Sequence, residues 1–197
     1  MTLNFTDSID VTADETLDDK LKHMLESENI LALIEEYEYR KPYRHFCYFE
    51  YTFLNIQKIQ QLVENGKVNV FDKKEQRAVD DLKKPTIYIL GETIYIKFSY
   101  MLQNDAGNTI KYIMLAVIDK ENSLLEIRFD QVGIVYKNSY TFYKSKVAEI
   151  LDFLKINIQL EVIDIDFKAV VDYMKSEKDD ITIVAQRMTR NGTTAYL

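Results

Sequence analysis

Between residues 86 and 130 four apolar-rich segments are separated by turn-forming residues, and the second of them alternates strictly between two faces. A period of two suits a half-buried strand and little else. The first segment, 86–90, runs into Gly91-Glu92, a two-residue break of the kind that closes a hairpin. In 93–102, Ile94, Ile96, Phe98, Tyr100 and Leu102 share one face, and Thr93, Tyr95, Lys97, Ser99 and Met101 the other. Asn104, Asp105 and Gly107 tolerate the positive φ of the next reversal. Residues 108–118 are apolar at almost every position after Lys111, the pattern of a strand buried on both faces, so this strand is expected at the centre of the sheet. Residues 119–122 turn the chain again, after which Leu125, Ile127 and Phe129 point inward and Glu126, Arg128 and Asp130 outward. The expected fold class is α+β, an antiparallel β-meander over about residues 86–130 packed with N-terminal and C-terminal helices.

At 197 residues the chain suits one domain, 1–197. Residues 1–82 are expected to be helix-rich with one aromatic strand; residues 83–197 carry the sheet, two helices and a C-terminal hairpin. A single cysteine, Cys47, rules out an intrachain disulfide, and the start of the chain has no charged-then-apolar signal pattern, so the expected compartment is the cytoplasm. No apolar run approaches the ~20 residues of a membrane span. A net charge of −7 weighs mildly against a general affinity for polyanions. Abundant Ile, Lys, Asn and Tyr with little Ala, Gly and Pro is what AT-rich coding sequence produces, and it points to a bacterial or phage origin.

The first nineteen residues carry six acids and no Lys or Arg, a solvated leader into a helix whose N-terminal dipole favours acids. Leu17, Leu21, Met24 and Leu25 mark one helical face, with His23 on or beside it. Ile30, Leu31, Leu33, Ile34 and Tyr37 continue it with a shifted phase. A strand follows Pro42, with Tyr43, His45, Cys47, Phe49, Tyr51 and Phe53 on one side and Phe46 and Tyr48 on the other. Residues 54–64 read as a helix ended by Asn65-Gly66, residues 67–71 as a short strand and 72–82 as a charged surface helix. A further helix, capped by Asn138 or Ser139, should set Tyr143, Val147, Ile150, Leu151 and Leu154 against the sheet. Residues 156–162 alternate like a strand, and Asp164 or Asp166 should cap a last helix. Asn191-Gly192 is a strong hairpin signal after a strand at 181–188. Ending on the apolar return strand fits a sheet edge, and equally the N-terminal portion of a longer protein.

No motif names a reaction or calls for a cofactor. One cysteine and two histidines leave a structural zinc without its four ligands. The weak catalytic candidates are Asp119, Glu126 and Arg128. They resemble superficially the metal-binding core of restriction-type nucleases, an Asp followed by Glu-x-Lys on adjacent strands. Here Arg128 stands in place of the lysine, the hairpin is tight and no Pro precedes the Asp, while cross-strand charge pairing explains the same residues.

Two binding surfaces suggest themselves. Residues 132–148 contain no acid and interleave Lys137, Lys144 and Lys146 with tyrosines including Tyr140, which suits phosphates and bases. Tyr43 and Arg44 form a second candidate surface for nucleic acid. Each stretch also reads as ordinary structure, an amphipathic helix and a packed strand. The leading expectation is a non-catalytic protein-interaction or regulatory domain, belonging to a larger bacterial or phage-encoded system and holding a protein partner or a second copy of itself. The alternative is a nucleic-acid-binding module using the Lys/Tyr surface, and a metal-dependent nuclease-like enzyme ranks third.

Overall fold

The four segments of the meander form the middle of a seven-stranded, mostly antiparallel sheet in a computed structural model that describes residues 30–72, 81–137, 139–165, 172–173, 176, 187–190 and 193–196. The chain divides into two compact units, Met1–Ile163 and Asp164–Leu197. In the first, helix α1 (Ile30–Arg40) leads to strand β1 (His45–Phe53), helix α2 (Ile56–Glu64) and the two-residue strand β2 (Asn69–Val70). The meander is β3 (Thr86–Leu90), β4 (Thr93–Gln103), β5 (Thr109–Asp119) and β6 (Leu124–Phe129). A 3-10 turn (Ile134–Tyr136), helix α3 (Phe142–Ile158) and strand β7 (Glu161–Asp164) follow. The second unit contains the hairpin of β8 (Arg187–Arg190) and β9 (Thr193–Tyr196), paired from Arg190 opposite Thr193. The acidic N-terminal stretch, the helix expected around His23, most of 72–82 and most of the helix expected after Asp164 lie outside the described residues.

Strand order is β2-β3-β4-β5-β6-β1-β7, with β5 at the centre as its doubly apolar sequence requires. Met114, Leu115, Ala116, Val117 and Ile118 are all buried. The aromatic strand β1 pairs antiparallel with β6, Cys47 opposite Ile127. Cross-strand rows follow from this register. Ile87, Ile96, Ala116 and Ile127 line one face, where α2 and α3 cover them with Ile59, Leu62, Ile150, Leu154 and Ile158. On the opposite face, Tyr88, Tyr95, Leu115 and Val117 form a second, smaller cluster with Tyr39 of α1, Tyr43 and Phe71.

Gly91 closes the β3–β4 hairpin at φ +59°, and a Cβ there would meet nothing within 4 Å. The cost of a side chain is therefore purely that of the left-handed backbone. Gly91→Ala is expected to lower stability by about 1 kcal/mol, read as a shifted midpoint in urea unfolding.

Three expectations are corrected. Helix α3 runs through Ile158, so residues 156–158 are helical and only 161–164 form a strand. Ile150, Leu154 and Ile158 recur every four residues and are wholly buried, whereas Ile156 is exposed. Packing on the sheet thus selects the helical period from a run that also alternates. The helix starts at Thr141 rather than Ser139, and no side chain caps it. On α1, Ile34 and Tyr37 are exposed, and the buried face is Ala32, Glu35, Glu38 and Tyr39.

Candidate functional site

Why α1 buries two glutamates is answered by β4. Lys97 lies in the middle of that strand with its side chain fully enclosed. Its Nζ contacts Glu35 and donates to Glu38 Oε2 at 2.6 Å, while Lys111 from β5 donates to both Glu38 oxygens at 2.7 and 3.0 Å. Tyr39 donates to Glu35 at 2.8 Å, and Tyr43 donates to the Glu38 carbonyl at 2.7 Å. Burial and the neighbouring Glu35 and Glu38 carboxylates push the Tyr39 hydroxyl far above the ordinary tyrosine range. The four opposite charges balance, and ammonium and carboxylate groups are mutually satisfied, so the cluster fastens α1 to the sheet. Sequence reasoning missed it. The available signal was a lysine in mid-strand on a half-covered face, together with Glu35 and Glu38 one helical turn apart.

Tyr43 belongs to this cluster and is buried, so its ring is not available to stack on a base. Phe46 and Tyr48 of β1 are exposed instead, 6.2 Å apart with planes at 22°. They lie on the sheet face beside the Glu126–Arg128 pair, whose register partners they are.

The three nuclease-like candidates take separate roles. Asp119 accepts from the backbone N–H groups of Glu121 and Asn122 and from the Asn122 amide, shaping the β5–β6 turn. The Asn122 side chain, then its backbone N–H, holds that carboxyl below the usual range. Glu126 and Arg128 bond each other at 2.6 Å, and Tyr48 also hydrogen-bonds Glu126. Arg128 Nε is buried without a hydrogen-bond partner among the described residues. Among the described residues no three His, Cys, Asp or Glu side chains are grouped to hold a metal ion.

The acid-free stretch forms the 3-10 turn and the first turns of α3. Lys137 Nζ sits 4.8 Å from the Tyr143 ring centre, and Tyr143 accepts from the Val132 N–H at 2.8 Å and stacks on Phe129. Lys146 is occupied by Glu149 at 2.7 Å and by the Tyr100 ring at 4.4 Å. Lys144 is exposed. Beside these lysines Ile134 is 83%, Val135 62% and Tyr140 101% exposed. Sequence reasoning singled out the lysines and Tyr140 and passed over the two aliphatic residues.

A polar cleft of about 720 Å³ opens where the α1–β1 loop faces the chain leaving β6, bordered by Tyr37, Lys41, Arg44, His45, Asp130 and Gln131. Asp130 anchors it, accepting from Lys41 Nζ at 2.9 Å and from the Arg44 N–H at 3.1 Å. Partial burial alone would raise the Asp130 carboxyl, but Lys41 and then Arg44 outweigh it and hold the group below the usual range. An apolar groove of about 700 Å³, lined by residues including Val70, Ile87, Ile89 and Leu90, runs beside the β2–β3 edge.

No helix among the described residues is long and apolar enough to cross a membrane. Comparison with protein-family models, with curated proteins and with solved structures finds no match.

Proposed function

We propose that the chain is a non-catalytic protein-interaction or regulatory domain of a larger bacterial or phage-encoded system, working in the cytoplasm, that engages a partner through its 3-10 turn and the start of α3. The observation that carries this reading is the exposure of Ile134, Val135 and Tyr140 side by side in sequence with lysines. Large apolar side chains standing free in water gain most when a partner covers them, and Tyr makes wide contact with few rotatable bonds. The lack of any acid in 132–148 matches a partner with an acidic surface. The compartment rests on the lone Cys47, half-buried with its thiol raised by burial, which suits a reducing environment.

The test is Ile134→Asp with Val135→Asp. Both side chains face solvent, so the fold should change by less than about 0.5 kcal/mol. A partner recovered with the native chain is expected to bind this variant about 30-fold more weakly, the scale of a lost hot spot. Unchanged affinity would remove the surface from the interface. Salt-sensitive binding of labelled DNA or RNA that Lys144→Glu weakens would move the reading to the nucleic-acid module, since phosphate contacts release counterions.

A further inference from the structure

The cleft between the α1–β1 loop and the end of β6 carries unused donor capacity. Its carboxylate, Asp130, is paired with Lys41 and bonded by the Arg44 backbone, and it attracts the Arg44 guanidinium only through space, without a direct ion pair. The Arg44 side chain is exposed, and its guanidinium forms no hydrogen bond or ion pair among the described residues. The His45 ring is held against Phe129, centroids 5.6 Å apart and planes at 21°, and its nitrogens likewise have no hydrogen-bond partner among the described residues. Gln131, on the opposite wall, is exposed and its carboxamide is also unengaged among the described residues. Three planar groups rich in N–H donors therefore border one cleft on a loop that Asp130 has fixed.

An oxyanion is the complement of such a site. A guanidinium presents its donors as a fork matched to two oxygens of a carboxylate or phosphate, and imidazole and carboxamide N–H groups can take the others. We infer that this cleft binds a carboxylate or phosphate group of a ligand through Arg44, His45 and Gln131. Lys41 offsets the Asp130 carboxylate and so reduces the repulsion an incoming anion would meet. The inference does not depend on the exposed surface of Ile134 and Val135.

The experiment is NMR titration of the full chain with inorganic phosphate and, separately, acetate, against sodium chloride at matched ionic strength. Saturable shifts of the His45 ring and Arg44 side-chain resonances are expected, with a Kd of about 1 mM to 10 mM. Arg44→Gln keeps the backbone N–H that Asp130 accepts, so it tests the guanidinium without releasing the loop. It should weaken binding about tenfold or more, the loss of a charge-assisted hydrogen bond. Lys67→Glu, an exposed lysine outside every site described, should leave the affinity unchanged, which separates a built site from general attraction to a basic surface. Tighter binding of phosphate than acetate identifies a phosphorylated ligand, and the reverse a carboxylate; either supports the site. Shifts that stay linear to about 50 mM of both ions, or saturable shifts that Arg44→Gln leaves intact, would overturn it.

Discussion

Glu38→Ala is expected to destabilise the domain by about 3 kcal/mol, the lower end of what breaking a buried ion pair costs. Glu38 receives Lys97 and Lys111 together, and Lys97 is wholly enclosed between α1 and β4. Without Glu38 a buried ammonium keeps only Glu35, and it can recover hydration only by loosening the helix. Lys111 is about a third exposed and regains water readily, which is why the expected loss sits at the lower end. A combined replacement, Lys97→Met with Glu35→Leu, Glu38→Leu and Tyr39→Phe, should instead be close to neutral, because it removes the desolvated charges together with the buried hydroxyl that donates to Glu35. Urea unfolding of the three proteins decides the matter. A loss below about 1 kcal/mol for Glu38→Ala would mean that the cluster orients α1 without contributing to stability.

The second large effect belongs to the opposite face. Leu154 is wholly buried between Ile150 and Ile158, where α3 meets the sheet, so Leu154→Ala leaves a cavity and should cost about 3–4 kcal/mol. Ile156, two residues on, is 75% exposed, and Ile156→Ala should change stability by less than about 0.5 kcal/mol. The pair discriminates between two periods. In a strand, positions 154, 156 and 158 would share one face and respond alike; in a helix, 154 and 158 share a face and 156 does not. Comparable losses at Leu154 and Ile156 would contradict the helical assignment.

These experiments bear on different layers of the molecule. The Lys97 cluster and α3 are attachments of helices to the sheet. The tip at Ile134 and Val135 and the cleft at Arg44 and His45 are surfaces whose substitution should leave that scaffold standing. The nuclease-like trio falls between the two, with Asp119 spent on the β5–β6 turn and Glu126 on Arg128. The Glu126–Arg128 pair forms along one strand, two residues apart, rather than across strands.

Much of the sheet was legible because strand periodicity and turn chemistry are local. Ile94, Ile96 and Phe98 alternate with Tyr95 and Lys97 within a few residues, and Gly91 and Gly107 mark reversals whose positive φ they supply. The unbroken apolar run from 112 to 118 placed β5 at the centre, since only a strand covered on both sides can bury successive side chains such as Met114 to Ile118. What local pattern could not supply was the partner across each gap. Residues 156–158 satisfy both helix and strand periods, and contact with the sheet chose between them. The burial of Glu35 and Glu38 instead of Ile34 and Tyr37 was decided by Lys97 and Lys111, dozens of residues away, because an enclosed ammonium requires carboxylates more strictly than an aliphatic face requires cover. The cleft likewise exists only because β1 pairs with β6, which brings Arg44 and His45 beside Asp130 and Gln131. By itself the sequence determined the four meander strands, their turns and the inward face of each. The tertiary structure alone decided which charges are buried together and which donors are left facing solvent, because charge satisfaction is a property of neighbours in space rather than along the chain.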